Sequence, residues 1–409
     1  MDTNHLHNPQ LALACLLLAG GASAPRRRLL LEFNDPLSAL RAGPPVWNRH
    51  GCSALQQARL QRPDCAQMER IQCWLQHPGH HLLGLHEPDY PMLLRKAPGS
   101  PLALFIDGDP QLLWQPSVAV VGSRNPSAGG HEHAHRFATA LARAGLVVTS
   151  GMAAGIDAAA HLAALEQQRP TIAVIATGPD LAYPPRHREL RDRIAQTGAV
   201  VSEYPPGAAA LRSHFPARNR LIAGLSLATL VIEAALRSGA LITARLAAEA
   251  GREVFALPGS IDNPLSRGCH RLLRDGAGLV EEPGEVITGL GSLPETLAAA
   301  LRGRLGADTD SDAGSPATAN ANAAAAANAA ASAPADLAPQ YHLLWQAMGS
   351  DPTSMDTLVE RTGLTTTALS SMLLAMELEG RIVVEHGRYS RRSGFLHLHS
   401  VRSDAGRGQ

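Results

Sequence analysis

The sequence predicts a doubly wound α/β fold, in which one parallel sheet carries helices on both faces. Three observations predict it. Between residues 117 and 257, short runs of small and β-branched residues alternate with longer helical stretches, and strands joined in that way run parallel with right-handed crossovers. These runs close at Gly122, Ser150-Gly151, Gly178, Glu203, Glu233 and Pro258-Gly259, and such sheets bind ligands at their strand carboxyl ends. The first run, Ser117–Val121, is too short and too β-branched for a buried helix and reads as a central strand.

In chain order, residues 10 to 76 read as helices: Leu11–Leu18, Pro25–Phe33 after Gly20-Gly21, then Ser53–Leu60 and Ala66–Leu75. Short helices joined by glycine turns suit a small helix-hairpin-helix or SAM-like bundle, a unit that packs against partners and in some cases touches DNA through a turn. Leu11–Ala19 followed by Ala22-Ser23-Ala24 imitates a signal peptide. No Lys or Arg precedes the apolar run, Arg26-Arg27-Arg28 lies on the wrong side of it, and it is too short to span a bilayer, so it reads as a buried helix. Ala103–Ile106, closed by Asp107-Gly108-Asp109, is a strand joining the sheet's edge.

The Ser117–Val121 strand turns at Gly122, and Asn125-Pro126-Ser127 starts a helix over about 130–144 with Ala134, Phe137, Ala138 and Leu141 on one face. The unit then recurs. Leu146–Thr149, Thr171–Ala176, Ala199–Ser202, Leu227–Ile232 and Glu253–Leu257 are strands, and Ala158–Gln167 and Arg186–Gln196 are helices. Leu211–Arg220 is read as a loop leading into a short helix, Leu221–Leu225.

Composition narrows the function. The 409 residues leave room for two or three domains, and 36 basic against 36 acidic residues give no global field to attract a polyanion. Any anionic partner must be held by local charge. Lys96 is the only lysine, so arginine carries nearly all the positive charge, and a 4% aromatic content excludes a broad stacking surface. The five cysteines form no C-x-x-C pair and read as reduced thiols of a cytoplasmic protein. His131, His133 and His135 alternate, and residues two apart on a helix do not face each other, so no metal site is expected there.

Two stretches carry chemistry. Gly122-Ser123-Arg124 combines a strand end, a glycine turn and a following helix start, where free backbone N–H groups and a planar guanidinium suit phosphate. The same residues also suit a tight βα turn with a solvated arginine. Arg212, Arg218 and Arg220 with His214 surround Phe215, and guanidinium forks beside one ring match what a single nucleic-acid strand offers, phosphate and base. A solvated loop capping the sheet is the alternative.

In order along the chain, GSR at 122–124, SGMAAGID at 150–157, Tyr183-Pro184, SEYP at 202–205, FPARNRLIAGLS at 215–226, EAALRSGALITA at 233–244 and REVFALPG at 252–259 resemble the DNA-processing protein A family. The motifs span about 117–282, with weaker pieces back to about residue 89. The resemblance implies an extended Rossmann-like domain that binds single-stranded DNA, forms a homodimer, protects incoming DNA and loads the RecA recombinase in natural transformation, with no cofactor and no membrane. It places the DNA pocket at Gly122, Ser123, Arg124, Phe215, Arg218, Asn219 and Arg220. The Ser266–Arg271 loop is a further part, in which His270 stands where many members carry Asn.

Composition collapses to Ala, Asn, Ser, Asp, Gly and Pro between Leu293 and Pro334, the pattern of a flexible linker. Beyond it, Tyr341, Leu344, Trp345 and Met348 mark a first helix, Ser354–Thr362 a second, and Thr365–Leu378 a third with Thr365 as N-cap. Arg381–Glu385, a Gly387 turn and Tyr389–Arg391 complete a winged helix with a two-stranded wing. Its third helix is poor in basic residues, which suits protein contact better than a DNA groove. The resulting domains are 1–78 (helical), 79–290 (sheet), 291–335 (linker), 336–395 (winged helix) and 396–409 (tail).

An enzyme is the competing class, a nucleotide-binding hydrolase like the lysine-decarboxylase-like phosphoribohydrolases. Those need a P-G-G-x-G-T-x-x-E turn, whereas Pro258-Gly259-Ser260-Ile261 lacks the second glycine and the acid. Glu233, at a strand end, is the one carboxylate placed to catalyse, or to pair with an arginine.

Overall fold

The computed structural model describes residues 7–294 and 297 and, in the C-terminal part, residues 341, 344, 348, 353–362, 364, 369, 372–373, 376–377, 381–385 and 388–391. The chain divides into two compact units, residues 1–307 and 308–409. The expected linker and tail lie almost wholly outside the described residues, as do the Gly387 turn and the Thr365 cap.

Six helices open the first unit: α1 (Pro9–Leu18), α2 (Ser23–Phe33), α3 (Pro36–Arg41), α4 (Gly43–Arg49), α5 (Ala54–Gln61) and α6 (Cys65–Leu75). Two of them, α3 and α4, fall where the sequence reading left a gap. Asp35 caps α3 through Leu37 and Ser38 N–H, and a proline follows at the first helical position. The apolar α1 is a buried helix, and Arg26 of α2 turns inward to donate to the carbonyls of Leu16, Leu17 and Gly21 at 3.0, 2.8 and 3.1 Å. Those are carbonyls at and just past the end of α1, which a cation satisfies well.

The strands are β1 (His80–Gly84), β2 (Ala103–Gly108), β3 (Ser117–Val121), β4 (Val147–Ser150), β5 (Thr171–Ile175), β6 (Ala199–Ser202), β7 (Ala228–Val231), β8 (Glu253–Ala256) and β9 (Gly278–Leu279). They form one sheet in the order β1-β2-β6-β5-β4-β3-β7-β8-β9. From β6 to β9 every neighbour is parallel, while β2 runs antiparallel to β6 and β1 antiparallel to β2. The strand at Ala103 is therefore one in from the edge, and the edge itself is β1. Its sequence, HHLLG, carries no clean alternation, which is why it escaped the sequence reading.

The helices between and after these strands are α7 (Met92–Lys96), α8 (Ala128–Arg143), α9 (Ile156–Glu166), α10 (Arg188–Thr197), α11 (His214–Leu225), α12 (Gly239–Glu249), α13 (Arg267–Arg274) and, beyond β9, α14 (Pro283–Gly289). Strand order reverses between β3 and β7, so the topological switch point lies at the carboxyl ends of β3 and β7. This is the extended Rossmann-like arrangement.

The core explains how the first unit coheres. One apolar cluster runs from Leu11, Leu13 and Leu16 of α1 through Trp74 to Phe105 and Ile106 of β2, and on to Val201 and Leu221. A second lies under α8 and α9, with Phe137, Leu141 and Ile156 against Val118, Val120 and Val148.

In the second unit β10 (Thr353–Ser354), α15 (Met355–Thr362), β11 (Ile382–Glu385) and β12 (Arg388–Arg391) are described. Residues 341, 344 and 348, and likewise 369, 372, 373, 376 and 377, are helical. Leu344, Met348, Leu358, Leu369, Leu373, Met376 and Ile382 share a small core. The two expected wing strands, β11 and β12, pair antiparallel, and β10 adds a third strand to their sheet, in the order β10-β12-β11, because Thr353 and Ser354 pair with Tyr389 and Arg388.

Candidate nucleic-acid interface

A cavity of about 170 Å³ opens at the carboxyl ends of β3, β4 and β5, beside the switch point. Three arginines line it, Arg124, Arg186 and Arg218, with the rings of Phe215 and Tyr183. No acidic side chain lines it among the described residues.

The first strand end delivers Arg124. Gly122 packs so closely on Ile156 and the Glu233 carbonyl that a Cβ would collide with both. Ser123 is buried, and its Oγ accepts from Asn125 N–H at 3.1 Å, which fixes the turn. Arg124 is left exposed, its guanidinium 5.3 Å from the centre of the Phe215 ring. Tyr183 meets that ring from another side, at 5.3 Å and 56°. Charge and two flat faces therefore stand together.

Phe215 and Arg218 come from a helix, not from a loop. Residues 214–225 form α11, and Pro216 falls in its first turn, where a backbone N–H has no helical partner to lose. The proline and the arginine run disguised this helix start. On a helix, residues three apart share a face and residues two apart do not. Phe215 and Arg218 accordingly face the cavity. Arg220 turns away and pairs with Glu203, and Asn219 donates to the Gly239 carbonyl at 3.3 Å. Of the arginines that the resemblance places in the pocket, Arg124 and Arg218 meet at the cavity and Arg220 does not line it.

Arg218 forms the cavity floor. It is 5% exposed, and its Nε and Nη1 are buried without a hydrogen-bond partner among the described residues. Its guanidinium lies against Gly151, where a Cβ would overlap it unless the arginine moved. Burial pushes the Arg218 guanidinium down to about 10, with Asp157 pulling the other way. Burial raises the Asp157 carboxyl, opposed chiefly by Arg218. Below them His161 is fully buried, its ring bonded to Thr171 Oγ1 at 2.8 Å, and burial pushes it down to about 3.

The remaining sequence candidates fall elsewhere. Glu233 is buried at the switch point and fully engaged: its carboxylate accepts from Ser127 N–H at 2.9 Å, Ser127 Oγ at 2.6 Å and Asn263 Nδ2 at 3.3 Å. It pins the start of α8, where Ser127 is the N-cap, and among the described residues its carboxylate is held by Ser127 and Asn263 rather than by an arginine. Ser266–Arg271 is the cap and first turns of α13 rather than a loop, and His270 shares a hydrogen bond with the Gly259 carbonyl at 3.0 Å, outside the cavity. Tyr183 and Arg186 line the cavity and were missed as site residues. Their signal was a three-residue spacing around Pro184-Pro185, visible once a turn is drawn there.

Comparison with known proteins agrees with this geometry. Residues 81–291 match the family described as DNA recombination-mediator protein A, and residues 328–388 match the DprA winged helix domain. The chain is 39% identical over 332 residues to protein Smf of Escherichia coli, covering 81% of this chain and 82% of that one. It is 48% identical over 198 residues to the DNA processing protein DprA of Streptococcus pneumoniae, 48% of this chain and 70% of that one. Among solved structures, DNA processing protein A from Streptococcus pneumoniae aligns with a TM-score of 0.62 at 38% identity, over 68% of this chain and 97% of that chain.

Proposed function

The chain belongs to the DNA recombination-mediator protein A family, and from that premise we propose that it binds single-stranded DNA in the cavity above β3, β4 and β5. In this reading it protects incoming DNA and loads the RecA recombinase during natural transformation, as a cytoplasmic homodimer without catalysis of its own. One observation carries the binding claim: Arg124 over the Phe215 ring, with buried Arg218 beside it, two of whose donors have no partner among the described residues. A duplex hides the faces of its bases in the stack, whereas an unpaired base can lie on Phe215 or Tyr183 while guanidinium groups take the neighbouring phosphates.

The engaged state of Glu233 and the lack of an acid in the cavity support the non-catalytic reading. The homodimer rests on the family resemblance and on the end of the sheet at β9, where Leu279 is 55% exposed and Ile287 and Leu293 are also exposed. No helix among the described residues is long and apolar enough to cross a membrane.

Binding of a labelled single strand and of a blunt duplex of equal length tests the reading. The single strand is expected to bind more tightly, with affinity falling as salt rises at a log–log slope of roughly −2 for three phosphate contacts. Equal affinity for the duplex would overturn it. Recombinase loading is checked separately, by whether the chain speeds RecA filament growth on strands already coated with single-strand-binding protein.

A further inference from the structure

Beneath the cavity lies a buried carboxyl group that the DNA-binding reading does not use. Asp157, in the first turn of α9, is 7% exposed, and its Oδ2 accepts from the backbone N–H groups of Gly151 and Ala153 at 3.1 and 3.3 Å. These residues form the β4–α9 loop, in which Met152 adopts a left-handed φ of 56°. Gly151 is also the residue against which the Arg218 guanidinium packs. One glycine therefore separates a buried carboxylate from a buried guanidinium.

The two make no contact ion pair, and Nε and Nη1 of Arg218 keep no partner among the described residues. That arrangement is unusual in its chemistry. A carboxylate facing Arg218 fork to fork would consume two donors, whereas one placed behind a glycine balances the charge and occupies none of them. The same carboxylate sits where a phosphate on Arg218 would feel it through a medium that screens poorly.

Taking the cavity as the single-stranded DNA site, we infer that Asp157 is an affinity-setting residue, whose buried carboxylate balances Arg218 without taking its donors and thereby holds the affinity for DNA below what the three arginines would give. A protein that hands its strand on needs such a ceiling. Each of the two charged groups is also the strongest charge acting on the other. The plainer role, a clip for the β4–α9 loop, predicts the opposite effect on DNA. Asparagine separates the two roles, because its carbonyl oxygen can still accept from Gly151 and Ala153 while its charge is gone.

The test uses the full chain and a labelled 20-nucleotide poly-dT strand, with the variants Asp157→Asn, Arg218→Met and the double variant. Asp157→Asn is expected to bind roughly three- to thirtyfold more tightly than the parent, with the ratio persisting at high salt because the charge is buried. Melting temperatures are expected to couple: Asp157→Asn is better tolerated beside Arg218→Met than beside Arg218 itself. Equal or weaker binding by a folded Asp157→Asn, or strictly additive melting shifts, overturns the inference. Should Asp157→Asn alone not fold, a folded double variant supports the pairing and an unfolded one overturns it. If Arg218→Met binds as the parent does, it is the cavity assignment that fails. If Arg218→Met weakens binding and Asp157→Asn does not strengthen it, only the role of Asp157 fails.

Discussion

Arg124 and Arg218 face one cavity from opposite extremes of burial, so their variants separate binding from folding. Arg124→Ala removes an exposed charge and is expected to weaken single-strand binding about tenfold with an unchanged melting temperature, since a charged hydrogen bond is worth roughly 1.5–3 kcal/mol. Lysine at 124 should restore only part, because it lacks the planar fork. Arg218→Ala is expected to cost binding and also several degrees of melting temperature, because it leaves Asp157 buried without its counter-charge. Sequence reasoning found both arginines but did not separate them by burial. Burial at 218 depends on Gly151, which is remote in sequence, and no local pattern announces it. His161 gives a pH signature at the same scale. With its folded value pushed down to about 3, it stabilises the fold fully above its ordinary range and that contribution is lost as pH falls. Between pH 6.5 and 4.5 the loss is roughly 2–3 kcal/mol. Acid titration of the melting temperature should show this slope in the parent and a shallower one in His161→Gln.

At the scale of elements, the fold was legible wherever strand and helix alternated, and less so where one residue type masked another. Every parallel strand from β3 to β8 was read within a residue or two, because buried β-branched runs closed by glycine or proline leave few alternatives. The start of α11 was misread because Pro216 and its arginines look like loop chemistry, although a first turn tolerates proline. That shift of seven residues, from Leu221 back to His214, decided the site: it put Phe215 and Arg218 on one face and sent Arg220 to Glu203. Glu233 makes the same point from the other direction. A carboxylate at a strand end suggested catalysis, yet here it joins β7 to the start of α8 through Ser127. Glu233→Gln is expected to lower stability by about 1–3 kcal/mol, because a buried acceptor becomes a donor facing Ser127 N–H. Single-strand affinity should stay within about twofold. Steady release of base or phosphate from nucleotides by the parent, abolished in Glu233→Gln, would return the residue to catalysis.

At the scale of the whole molecule, the two boundaries read from the sequence differ in what the core does across them. Sequence reading drew a boundary at residue 78 because helices give way there to strands, and another in the Ala/Asn-rich stretch because apolar residues vanish. Only a break in the apolar pattern implies a break in the core. Across residue 78 the core does not break: Leu11, Leu16 and Trp74 belong to the same cluster as Phe105, Ile106 and Val201, and Trp74 stacks on His80 of β1 at 4.1 Å. Beyond the low-complexity stretch, Leu344, Leu358 and Leu373 make a core of their own. Removing residues 308–409 is therefore expected to leave the melting transition of residues 1–307 and their affinity for single-stranded DNA within about twofold. Removing residues 1–78 should instead strip apolar cover from β1 and β2, at roughly 25 cal/mol for each Å² newly exposed, and abolish the cooperative transition. Calorimetry on the two truncations checks both. A 79–409 fragment that melts cooperatively near the parent's temperature would show that the N-terminal helices fold as an independent bundle, as their sequence alone suggested.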